Sequence, residues 1–153
     1  MKSLLFAFLT ILPVFAHYTL DYPPTVGFNE DQEPNPPCGG FDPDISNLTA
    51  WPLSGGEIAI DSHHPEMKLL YRAQLMGSNS WVNLTDGFLD MTGLGELCIK
   101  ALAVPGNWSG KVGVVQTIGK PADGILYQEE ATDDPSLQVV CWSELYRRST
   151  GDK

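Results

Sequence analysis

Basic charge is what this sequence has least of. Lysine and arginine together number 9, against 19 aspartates and glutamates, for a formal net charge of −10. A phosphate backbone or an anionic membrane wants a basic face, so nucleic acid and acidic lipid are poor partners. Cations, neutral polysaccharide and an acidic extracellular medium are compatible with the charge. Histidine is scarcer still: His17 and the adjacent pair His63-His64 are all there is. Catalytic signatures are missing too. No G-x-S-x-G, H-E-x-x-H or P-loop occurs, and the carboxylates scatter through loops instead of pairing on strands. Serine-hydrolase, zinc-protease, nucleotide-binding and glycosidase chemistry therefore lack their usual carriers. There is no internal repeat and no low-complexity tract. Cysteine is limited to Cys38, Cys98 and Cys141. Three thiols allow one disulfide with one left over, and the sequence does not choose the pair.

Long apolar runs are absent except at the start. Met1-Lys2-Ser3 carries one positive charge, and Leu4 to Ala16 is almost wholly apolar. That order, ending in Val14-Phe15-Ala16, is that of a secretory signal cleaved after Ala16. The run is short for a bilayer span, and the acidic, proline-rich stretch after it does not extend it. Three N-x-S/T sequons, at Asn47, Asn83 and Asn107, fit a secreted domain with surface glycosylation.

After the leader comes one domain, built mostly of short strands. His17 to Tyr22 reads as extended and Pro23-Pro24 ends it. Residues 25–37 form a loop, and its crowded Glu30, Asp31 and Glu33 read as solvated. Residues 57–62 alternate with Ile58 and Ile60 on one face. Residues 67–75 alternate with Leu69, Tyr71, Ala73 and Leu75 inward. Further strands are expected around Trp81 (80–84), over 96–104 and over 111–118, and one starting at Ile125-Leu126-Tyr127. Turns are expected at Thr92 to Gly95, Pro105 to Asn107 and Gly119 to Gly124. Short strands divided by turn signals predict an all-β sandwich. Asp134-Pro135 offers an N-cap and a first-turn proline, so a short helix is expected at about 135–147, with a strand through Val139-Val140-Cys141 as the competitor.

The leader gives His17 its meaning. Once it is removed, His17 carries a free α-amine, and amine and imidazole Nδ1 close a six-membered chelate ring on one metal ion. The amine has a reference pKa of about 8, so displacing its proton near neutrality is easy. A second imidazole opposite would complete three nitrogens, a set that suits Cu(II). His63-His64 can supply it. Neighbours on a strand point to opposite faces, so at most one of the two reaches the ion.

At this point the residues carry a resemblance. The blocks H-Y-T-L-D-Y-P-P-T-V-G-F-N-E-D-Q-E-P, C-G-G-F, W-P-L-S-G-G, S-H-H-P, G-E-L-C and D-G-I-L-Y-Q resemble the fungal copper-acquisition-factor family, over roughly His17 to Gln128. The resemblance implies an immunoglobulin- or fibronectin-like β-sandwich similar to lytic polysaccharide monooxygenases. It implies one Cu2+ held by the N-terminal histidine, a second histidine and an aspartate. Carried over, the metal residues are His17, His63 or His64, and Asp123. The family segment G-D-G-x-L-Y-Q-C-A-D is A-D-G-I-L-Y-Q-E-E-A here. Asp123 keeps the first aspartate, Ala131 stands at the second, and Glu129 replaces the cysteine. Asp21 and Asp61 are outside candidates for the carboxylate. Cys141 is a candidate replacement for the missing cysteine.

The layout implied is a signal peptide at 1–16, an LPMO-like copper-binding domain at 17–128 and a divergent segment at 129–153. The family's anchor tail has no counterpart in Arg147 to Lys153, which fits a freely secreted member or a shortened gene. The function implied is non-enzymatic: copper uptake, storage or delivery at the fungal cell surface or wall. A membrane copper transporter or wall polysaccharide is the expected partner of a monomer. A copper-dependent polysaccharide monooxygenase is the alternative, with Tyr127 axial and Trp51, Trp81, Trp108 and Trp142 for stacking. Core packing is the more ordinary task for most of those tryptophans. A metal-free structural wall module is the third reading.

Overall fold

The computed structural model describes residues 17–133, apart from Asn47 and Asp123. Among these residues nine strands follow one another: β1 (Tyr18–Tyr22), β2 (Thr49–Ala50), β3 (Gly56–Ser62), β4 (Glu66–Leu75), β5 (Val82–Asn83), β6 (Leu89–Thr92), β7 (Gly95–Leu102), β8 (Gly113–Lys120) and β9 (Leu126–Asp133). Among the described residues the helical content is a single 3-10 turn, Gly106–Trp108. The helix expected at about 135–147 and its competing strand lie outside the described residues.

The strands form two sheets. One has the order β1-β3-β7, the other β2-β9-β8-β4-β5, with β6 also paired to β4. All pairings are antiparallel except β2 with β9. Alternation builds the core. On β3, Ile58, Ile60 and Ser62 are buried, and on β4 Met67, Leu69, Tyr71 and Ala73 are. The apolar ones among these meet Tyr18 and Leu20 of β1, Val115 of β8 and Leu126 of β9 in one cluster. An all-β sandwich is therefore what the chain adopts. The strand readings at 57–62, 67–75, 96–104 and 111–118 match β3, β4, β7 and β8 to within a few residues. β2 and β6 carry no strong apolar alternation and were not expected. The turn expected from Gly119 begins later, because β8 runs to Lys120.

β8 is buried on both faces. Its inner face packs on the other sheet: the Tyr18 hydroxyl donates to the Thr117 carbonyl at 2.8 Å. A Cβ on Gly119 would lie 2.6 Å from the Tyr18 ring, so only glycine lets that ring in. Its outer face is covered by the 23–46 loop, where Gln116 donates to the Pro37 carbonyl and accepts from the Arg72 guanidinium. The register puts the start of β1, the end of β3, the start of β4, the end of β8 and the start of β9 at one end of the sandwich. That end holds the histidines.

Candidate metal centre

Pairing of Tyr18 with Ser62 continues for one residue beyond β1, so the His63 N–H donates to the His17 carbonyl at 2.9 Å. The sequence separation of 46 residues between the two histidines is thus closed by a sheet ladder. Beyond it the strand alternation persists. His63 faces solvent, its side chain 62% exposed, with Nε2 3.8 Å from the Asp61 carboxylate. His64 is buried, 6% exposed. Its N–H donates to the Ser62 hydroxyl at 3.2 Å, and that hydroxyl donates to the His64 carbonyl at 3.1 Å. This local closure turns the chain between β3 and β4 and fixes the His64 backbone. The two histidines therefore do point to different environments, as neighbours on a strand should.

His17 is held on its other side by the 23–46 loop. Its ring lies edge-on to Phe28, centroids 6.3 Å apart. Its Nε2 is 3.9 Å from Oε2 of Glu33. Glu33 corrects the expectation of a wholly solvated acidic loop. It is 1% exposed, while Glu30 and Asp31 do face water. Its backbone is tied at both ends: its N–H donates to the Asn29 carbonyl, and its carbonyl accepts from the Tyr127 N–H, both at 2.9 Å. Its Oε1 accepts from the Gln128 side-chain amide at 3.1 Å, while Oε2 has no hydrogen-bond partner. Burial pushes the Glu33 carboxyl up to about 7, against the opposing pull of the Gln128 hydrogen bond. Gln128 in turn grips the outer edge of β1, donating to the Tyr18 carbonyl at 2.6 Å and accepting from the Leu20 N–H at 3.1 Å. One glutamine thus locks the carboxylate to the strand that follows His17. Nothing in the acidic run marks Glu33 apart from Glu30; its partner lies 95 residues away.

Known proteins give this geometry a context. Residues 15–128 match the family described as copper acquisition factor BIM1-like. The chain belongs to that family. It is also 44% identical over 64 residues to the copper acquisition factor BIM1 of Cryptococcus neoformans var. grubii, a stretch covering 42% of this chain and 28% of that protein. Membership ties the chain to copper, and the family's description is one of acquisition, not of a reaction.

Among the described residues, no three His, Cys, Asp or Glu side chains gather closely enough to hold a metal ion. Two features nonetheless fit a family member's copper. If the leader is cleaved after Ala16 as the sequence predicts, His17 would offer two donors from a single residue. A buried carboxylate oxygen with no hydrogen bond stands beside that residue's ring. Asp123 lies outside the described residues; the ends of β8 and β9 that flank it are at the histidine end. Asp61 sits beside His63, and Asp21 is exposed on β1. Among the tryptophans, Trp51 is core and Trp108 packs against it. Trp81 is half-buried, with the Arg72 guanidinium 4.3 Å from its ring. Trp142 lies outside the described residues. Tyr127 is half-buried, and its backbone anchors Glu33.

Proposed function

We propose that this chain is an extracellular copper carrier of the fungal surface. After removal of the leader, Cu(II) is taken by the His17 amine and Nδ1, with His64 as the second imidazole and Asp123 as the carboxylate. The observation carrying this reading is the ladder that brings His17 against the His63-His64 turn, with the His63 N–H on the His17 carbonyl at 2.9 Å. Burial favours His64 over His63: a buried imidazole is held in one direction, whereas an exposed one must lose rotamer freedom to bind. Three nitrogens in a plane suit Cu(II) over the other divalent ions. A carboxylate on the remaining position occupies the place where an oxygenase admits O2, which favours carriage over turnover. Copper is here the cargo, handed to an acceptor at the cell surface or wall.

The test is a Cu(II) titration with EPR on protein that begins at His17. One tightly bound equivalent with nitrogen hyperfine structure is expected. His64→Ala should weaken binding by about tenfold or more, while His63→Ala should leave it within about threefold. The reverse order reassigns the second ligand, and indifference to both substitutions sinks the site. Ascorbate without release of oxidised oligosaccharide keeps the carrier reading; such release would replace it with a monooxygenase.

A further inference from the structure

Glu33 has no part in the ligand set just proposed, yet it is the most completely buried carboxylate described, and it faces His17. Imidazole chemistry says what it can do there. The N-terminal chelate uses Nδ1, and Nδ1 and Nε2 lie on opposite sides of the ring. A group beside Nε2 is therefore placed away from the ion that Nδ1 binds. Metal-binding histidines commonly donate their second ring N–H to a carboxylate, which fixes the tautomer and raises the ligand's basicity.

We infer that Glu33 is a positioning residue for the copper chelate: its Oε2 receives the Nε2–H of His17, holding the proton on Nε2 and leaving the Nδ1 lone pair for the metal. This rests on the His17 chelate proposed above. Four observations support it. Oε2 is 3.9 Å from Nε2, a small side-chain shift short of a hydrogen bond, and has no hydrogen-bond partner of its own. The other oxygen is committed to Gln128, so the carboxylate cannot easily swing away. The backbone of Glu33 is tied to β9 through Tyr127, and Gln128 is tied to β1, so carboxylate and histidine are fixed to one frame. Phe28 closes another side of the ring edge-on, which limits its rotation.

The Gln128 contact makes Glu33→Gln a directional test. Gln128 donates to position 33, so a glutamine there must turn its oxygen toward Gln128 and its NH2 toward His17. A donor now faces Nε2. The variant should then favour the tautomer protonated on Nδ1, the atom the chelate needs bare. The experiment uses protein beginning at His17, with metal removed, at pH 8. Long-range 15N-1H NMR of the His17 ring reads the tautomer directly. Wild type should show Nε2–H as the major form, and Glu33→Gln should shift the population toward Nδ1–H. Copper affinity should fall by about 10–100-fold in Glu33→Gln. The EPR parameters should change while the nitrogen count stays the same. Glu33→Asp, which keeps the carboxylate, should restore part of the wild-type tautomer ratio. Unchanged tautomer populations in folded Glu33→Gln would overturn the inference. So would loss of an oxygen ligand in the variant's copper spectrum, which would make Glu33 a direct ligand. If the tautomer shifts as expected but neither protein binds copper, the carrier reading fails and the Glu33–His17 coupling stands.

Discussion

The two ends of the sandwich are closed in different ways. At the end where β3 begins and β7 finishes, the seal is apolar. Trp51 is 5% exposed, its indole N–H donates to the Leu102 carbonyl at 3.1 Å, and Trp108 packs against the same cluster. At the histidine end the buried residues include Glu33, Ser62, His64 and Gln128, each 6% exposed or less. Burying such groups is unfavourable unless each gains a partner, and one Glu33 oxygen has no hydrogen bond. Apolar residues of similar size would close that end more stably. The difference separates an end sealed by apolar packing from an end that buries polar groups beside His17.

Removing each seal should therefore damage different properties. Trp51→Ala opens the apolar end and should lower unfolding free energy by about 3–5 kcal/mol in denaturant titration. Copper affinity, measured where the variant is still folded, should stay within about threefold. A parallel fall in affinity would mean that the two ends are mechanically coupled. The converse change is an alanine retained in front of His17. It turns the amine into an amide and deletes the chelate. Binding should weaken by about a hundredfold or more, on the order of 3 kcal/mol, while stability moves by no more than about 0.5 kcal/mol. Equal binding by the two forms would remove the reason for reading the polar end as a metal centre.

The two ends also differ in how well the sequence displays them. The core was legible because alternation has one cause. A strand with one face on a core must repeat every second residue, as Ile58, Ile60 and Ser62 do on β3. That His17 and His63-His64 belong together was suggested for another reason: histidine is rare here, and the ladder does bring the His63 N–H onto the His17 carbonyl. Even the opposite facing of His63 and His64 follows from strand periodicity alone. Glu33 was not legible. Its burial depends on Gln128, and no local pattern encodes a contact across 95 residues. β2, a two-residue strand whose partner is the far end of β9, escaped for the same reason. β6 has only Met91 buried among its four residues, too little to show a period.

The smallest effect expected is a pH slope that belongs to the polar end alone. In the metal-free protein the Glu33 carboxyl is raised from its ordinary 4.5 to about 7 by burial. Between those values the folded protein holds a proton that the unfolded chain has released. Stability from this group is thus fully present below about 4.5 and is lost as pH rises through about 7. Water penetration and relaxation reduce the size, so roughly 1–2 kcal/mol over the window is expected. Glu33→Gln cannot ionise and should flatten that slope, with its difference from wild type changing across the window. Trp51→Ala, whose damage lies at the other end, should keep the wild-type slope on a lower curve. If both variants keep the slope, another group titrates with folding, and the buried polar end is not its source. If copper is then added at pH 7, the wild type should gain stability through its preference for the folded state.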